Sequence, residues 1–156
     1  MSRRVSDMPW IKTRSGGARW VEPGSLTVTL SLPPKALSPN ARTHWAAKAK
    51  AVAAYRGEAF LMARAGIREV GLDVPPGWTD EIMVRATFWF RVNRRRDRDN
   101  AQASLKSALD GIAEALGVDD SRFVIAPATL LVDATDPRVE VVLHPAPTPA
   151  QPIETP

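Results

Sequence analysis

The stretch from Ile82 to Asn100 constrains this chain more than any other. In Ile82–Val92 (IMVRATFWFRV), Val84, Ala86, Phe88 and Phe90 alternate with Arg85, Thr87, Trp89 and Arg91. Side chains of a strand point alternately to opposite faces, so this pattern predicts a strand with one face against a core. The chain then runs through Arg94-Arg95-Arg96-Asp97-Arg98-Asp99-Asn100 into residues 100–116, where Leu105, Leu109, Ile112 and Leu116 recur at helical spacing. Gly117 supplies the stop.

The flanking segments supply the other elements. Leu26–Leu32 (LTVTLSL) alternates apolar and hydroxylic residues and reads as a strand ended by Pro33-Pro34. Lys35–Thr43 is loop, with turn chemistry at Ser38-Pro39-Asn40, and a long helix is expected from about His44 to Ala65, its end loosened by Gly66 and Gly71. The apolar piece Phe123–Ile125 precedes strands near Thr129–Asp133 and Val139–Leu143. The order β-α-β-α-β-β predicts a small mixed sheet covered by two helices, an α+β domain or a small α/β one.

At 156 residues and 44% hydrophobic, the chain has enough for one core. That core is expected in residues 25–144, behind a mobile basic arm (1–24) and ahead of a proline-rich disordered tail (145–156). The absence of cysteine excludes a disulfide scaffold, a thiolate nucleophile and any Cys-ligated metal. No apolar run is long enough for a membrane span, and no signal-peptide apolar stretch follows the N-terminal arginines. A cytoplasmic location is expected. His44 and His144 are too few and too far apart for a zinc site. With no Gly-rich phosphate loop, Ser-His-Asp set or Rossmann fingerprint, no organic cofactor is expected.

Charge carries the chemistry. Arg94, Arg95, Arg96 and Arg98 repel one another, and phosphates are their natural partners. Asp97 and Asp99, at i and i+2, lie about 6–7 Å apart on one side of an extended segment, within reach of a hard divalent cation such as Mg²⁺. The bland alternative makes Asp99 a helix N-cap with Gln102 as its capping-box partner, and Asp97 a mere neutraliser of its arginine neighbours. On a helical wheel Lys106 and Asp110 fall within about 20° of Asp99, away from the apolar stripe. Their alternative is an ordinary solvated pair. After the helix stop, Asp119-Asp120 can return one acid beside the first pair, or can be a commonplace acidic turn.

Lys35–Arg56 holds Lys35, Arg42, Lys48, Lys50 and Arg56 with no acid, and Ser38, Asn40 and His44 add donors suited to phosphate. Trp45 either stacks on a base or packs. Two basic segments and a basic arm together favour nucleic acid as the partner.

These motifs resemble one family. RRRDRDN followed by SLKSALDGIAEALGVDDSRF, with LPPKALSPNARTHW upstream, is similar to the RusA Holliday-junction resolvases, endodeoxyribonucleases common in bacteriophages and prophages. The resemblance runs over residues 26–143. It implies a Mg²⁺-dependent, structure-selective endonuclease, with Mn²⁺ as a substitute, that acts as a homodimer and nicks opposing strands of four-way branched DNA. It further implies Asp97, Asp99 and Asp120 as metal-binding carboxylates and Lys106 as the essential lysine, with Asp119 the alternative to Asp120. Arg94, Arg95, Arg96, Arg98, Asn40, Arg42 and Lys48 are the expected DNA contacts. One departure stands out: Lys106 lies two helical turns beyond Asp99, whereas the best-known member places its lysine one turn beyond. The competing expectation is a non-catalytic protein that binds branched DNA on the same basic surface.

Overall fold

In a computed structural model of the chain, residues 10–12, 18–20, 24–70, 78 and 80–146 are described. The segment read as an arm contains a two-stranded antiparallel ladder, β1 (Trp10–Lys12) with β2 (Ala18–Trp20), in which Trp10 is opposite Trp20. The rest of that segment, and of the proline-rich segment beyond Ala146, lies outside the described residues.

The folded body is α+β, an open mixed sheet of five strands carrying three helices. Its elements are β3 (Leu26–Leu30), α1 (Trp45–Val70), β4 (Ile82–Phe90), α2 (Arg98–Ala103), α3 (Lys106–Leu116), β5 (Phe123–Ile125), β6 (Thr129–Val132) and β7 (Arg138–Pro145). β4 is the central strand. On one side it pairs antiparallel with β7, Val84 opposite Leu143, and β7 pairs in turn with β3, Leu26 opposite Leu143. On the other side β5 and β6 run parallel to β4 one after the other, Ile82 opposite Phe123 and Thr87 opposite Thr129. A parallel return needs a crossover, and α2 and α3 supply it.

One face of the sheet is buried. Ile82, Val84, Ala86 and Phe88 of β4, Leu26, Val28 and Leu30 of β3, and Val139, Val141 and Leu143 of β7 are all nearly sealed from water. Against them pack Tyr55, Ala59 and Ala63 of α1 and Ala108, Ile112 and Ala115 of α3. The small residues let the two helices approach. A Cβ at Gly111 would come within 2.3 Å of the Arg56 carbonyl oxygen, so α3 rests backbone to backbone on α1. At the end of α3, Gly117 takes the left-handed conformation (φ 68°), and its N–H closes on Ala113 and Glu114.

Three helix expectations need correction. α1 does not end near Ala65; it runs through Gly66, where an added Cβ would crowd Leu26, to Val70. The helix read over 100–116 begins earlier and is two helices, so the body carries three rather than two, and α2 itself buries no residue. The break falls at Ser104–Leu105, where the Leu105 N–H donates to the Gln102 carbonyl, a tight three-residue closure, and Leu105 turns into the core. The cap is Asp97, not Asp99: Asp97 has extended backbone (ψ 122°) and its Oδ1 accepts from the Asn100 N–H at 3.0 Å. Gln102 does not close a capping box. Its Oε1 accepts from the Ala128 N–H at 3.1 Å and ties the β5–β6 connection to α2. No helix among the described residues is long and apolar enough to cross a membrane.

Candidate active site

The α2–α3 crossover and the β5 edge enclose a cavity of about 390 Å³. α2 contributes Asp99, Gln102 and Ala103; α3 contributes Lys106, Leu109 and Asp110; the chain leaving α3 contributes Asp120, Phe123 and Ile125. The wall is apolar and the rim is charged. Two features bring the acids together. The cap at Asp97 starts α2 so that Asp99, in its first turn, meets the cavity. The left-handed Gly117 turns the chain back, so that Asp120 faces the first turn of α3.

Lys106 stands between the later acids. Its Nζ lies 3.4 Å from Asp110 Oδ1 and 3.8 Å from Asp120 Oδ2. The ammonium is largely exposed, so these contacts contribute little stability. What they record is geometry: one cation faces two carboxylates from separate parts of the chain.

Asp119 is turned to another task. Its Oδ1 accepts from the Ser121 N–H at 2.9 Å and caps the short 3-10 turn Asp120–Arg122. The Ser121 hydrogen bonds hold its carboxyl below the usual carboxylate range. Asp97 likewise does not line the cavity, because its Oδ1 is committed to the helix N-terminus. Of the acids singled out in the sequence, then, Asp99, Asp110 and Asp120 share the cavity with Lys106, while Asp97 and Asp119 serve as caps.

The basic residues lie outside the cavity lining. Arg94, Arg95 and Arg98 are exposed. Arg96 lies flat on Phe90, its guanidinium carbon 3.9 Å from the ring centroid, and its buried Nε has no hydrogen-bond partner. Burial, with Arg94 nearby, lowers its pKa. Asn40, Arg42 and Lys48 are exposed around the start of α1.

Sequence reasoning missed the apolar wall of Leu109, Phe123 and Ile125. Phe123–Ile125 is visible as a short apolar piece, but only its parallel register on β4 turns Phe123 and Ile125 toward α3.

A second cleft, of about 520 Å³, lies between β3, α1 and the β6–β7 turn. Its polar groups are already engaged. Both Glu58 oxygens accept from Ser31, at 2.7 and 2.8 Å, and Arg138 meets Asp133, Asp136 and Glu140 at 2.9, 3.7 and 3.1 Å. This cleft is structural in character.

The donors around the first cavity are carboxylate oxygens, the type that Mg²⁺ and Mn²⁺ take. In kind they fit such an ion, and Asp99 and Asp120 line the same cavity. In arrangement they do not form a finished cage: among the described residues no three acids or histidines stand in metal-holding geometry.

No family model matches the chain. It is 44% identical over 102 residues to an uncharacterized protein of Xylella fastidiosa (strain Temecula1 / ATCC 700964), a match that covers 65% of this chain and 64% of that relative. Among solved structures it overlaps a cyanuric acid hydrolase from A. caulinodans over 83% of this chain and 42% of that one, with a TM-score of 0.36 and 13% identity. A likeness that weak carries no argument about fold or activity.

Proposed function

We propose that this protein is a divalent-metal-dependent endonuclease acting on branched DNA, as its resemblance to the RusA resolvases implies. The observation that carries the reading is the meeting of Asp99, Lys106 and Asp120 at one cavity, from either end of the α2–α3 crossover.

Asp99 and Asp120 are the carboxylates that would hold the metal from the cavity side. Asp97, which lies off the cavity lining with its Oδ1 on the Asn100 N–H, is the third carboxylate that the resemblance implies. Mg²⁺ or Mn²⁺, if bound there, would supply Lewis acidity and lower the pKa of a bound water. The Lys106 ammonium neutralises the acids until substrate arrives, then holds a phosphate oxygen. Arg94, Arg95 and Arg98, exposed just before and within α2, take neighbouring phosphates, and Asn40, Arg42 and Lys48 extend that contact. A four-way junction has approximate two-fold symmetry, so a homodimer with one site per subunit makes the paired cuts.

One observation favours a second reading, a branched-DNA-binding protein without catalysis. Lys106 already sits between Asp110 and Asp120, and the acids form no completed metal cage. A junction-cleavage assay with and without Mg²⁺ separates the two. The expected result is Mg²⁺-dependent paired nicking of the junction, lost in Asp99→Asn with junction binding kept. Binding without cleavage in either Mg²⁺ or Mn²⁺ would leave the second reading. Equal cutting of linear duplex at matched salt would make the protein a general nuclease.

A further inference from the structure

We infer that Trp45 stacks on an unpaired base and so directs the protein to strand openings in its DNA. The inference rests on the reading that this chain binds branched DNA, and it names the feature of that DNA which is read.

Trp45, the first residue of α1, is 76% exposed, the most exposed large apolar side chain in the described structure. A folded domain normally covers most of an indole. The other tryptophans of the folded body are accounted for: Trp78 is buried in the core, and Trp89 lies beneath the Arg138 guanidinium at 4.9 Å. The His44 ring lies beside Trp45, centroids 5.6 Å apart and tilted by 35°, and most of the indole surface is open.

Its surroundings select the occupant. Arg42 and Lys48, three residues to either side of it in sequence, are exposed, and no acid occurs from Lys35 to Arg56. A second copy presenting this patch to itself would set like charges against one another, as the symmetry of such a contact requires. A polyanion that also carries flat aromatic faces answers both features. Bases inside a duplex already spend those faces on their neighbours, whereas unpaired bases offer them. A cationic surface with an exposed indole is the arrangement by which single strands are held.

The test is fluorescence anisotropy with the full chain in EDTA, on an Asp99→Asn background that prevents cutting. The probes are a four-way junction, a single-stranded oligonucleotide and a fully paired linear duplex. Trp45→Ala is expected to weaken junction and single-strand binding by about tenfold and to leave duplex binding within about twofold. Trp45→Phe is expected to restore most of the loss. The salt slope stays unchanged, because an indole releases no counterions, while Lys48→Ala makes that slope shallower. Equal loss on all three probes, or no loss on any, overturns the inference. So does a change in molar mass by light scattering in Trp45→Ala, which would make the residue an interface between copies. Unchanged binding by Trp45→Ala beside intact junction cleavage by the wild type would sink this inference alone. Selective loss in a protein that never cuts would sink the nuclease alone.

Discussion

At the scale of single residues the aspartates divide between caps and cavity: Asp97 and Asp119 cap, Asp99 and Asp120 line the cavity. Asp97 caps α2, and asparagine caps as well as aspartate, so Asp97→Asn removes charge and keeps the helix start. Asp97→Asn is therefore expected to unfold like the wild type in urea yet lose junction cleavage. Retained cleavage would reduce Asp97 to a cap. Asp97→Ala is expected to cost about 1 kcal/mol of stability as well. Asp120→Asn should abolish cutting, and Asp119→Asn should not, since only Asp120 faces the cavity. Far from this site, Asp133 accepts from Thr135, Asp136 and Arg138, and those bonds, the Thr135 side chain foremost, lower its pKa to about 2. A carboxylate whose pKa drops on folding stabilises the fold above its unfolded value, about 3.9, and loses that contribution as pH falls through the folded one. Asp133→Asn should thus be less stable than wild type at neutral pH. The gap in urea midpoints should close between about pH 4 and pH 2; a gap independent of pH would point to the hydrogen bonds alone.

Among the elements, the crossing of α1 and α3 sets the position of the cavity. Gly111 gains helix propensity on substitution by alanine, but its added methyl would meet the Arg56 carbonyl, which cannot swing aside. The packing loss outweighs the propensity gain, so Gly111→Ala is expected to destabilise by about 2 kcal/mol in urea unfolding. A neutral result would show that α3 slides freely over α1. Much of each element is legible in the sequence. The alternation in β4 puts Val84, Ala86 and Phe88 in the core as read, and Gly117 ends α3 as read. The break at Ser104–Leu105 is not legible, because the apolar stripe begins only at Leu105 and nothing in Asn100–Ser104 signals a change of axis. The choice of cap is equally hidden. Two aspartates one residue apart both satisfy the local rule, and the Gln102 side chain that seemed to decide between them bonds instead to Ala128.

For the molecule as a whole, the decisive pairings are distant in sequence. β4 takes β7 on one flank and β5 with β6 on the other, so no local pattern announces that Phe123 and Ile125 wall a cavity with Asp99. The charge distribution, by contrast, is read directly from composition. If the exposed arginines meet phosphates, Arg95→Ala should weaken DNA binding of every sequence and reduce the salt slope by about 1. An unchanged slope would remove Arg95 from the contact surface. The pairing of β3 with β7 has a mechanical consequence. Leu26, where β3 begins, lies opposite Leu143, near the end of β7. Tension applied between the two ends of the folded body therefore parts this ladder one rung at a time from its Leu26–Leu143 end, rather than shearing all its rungs together. A pull on these two ends loads the hydrogen bonds of the ladder in sequence, the geometry from which an unfolding motor meets least opposition.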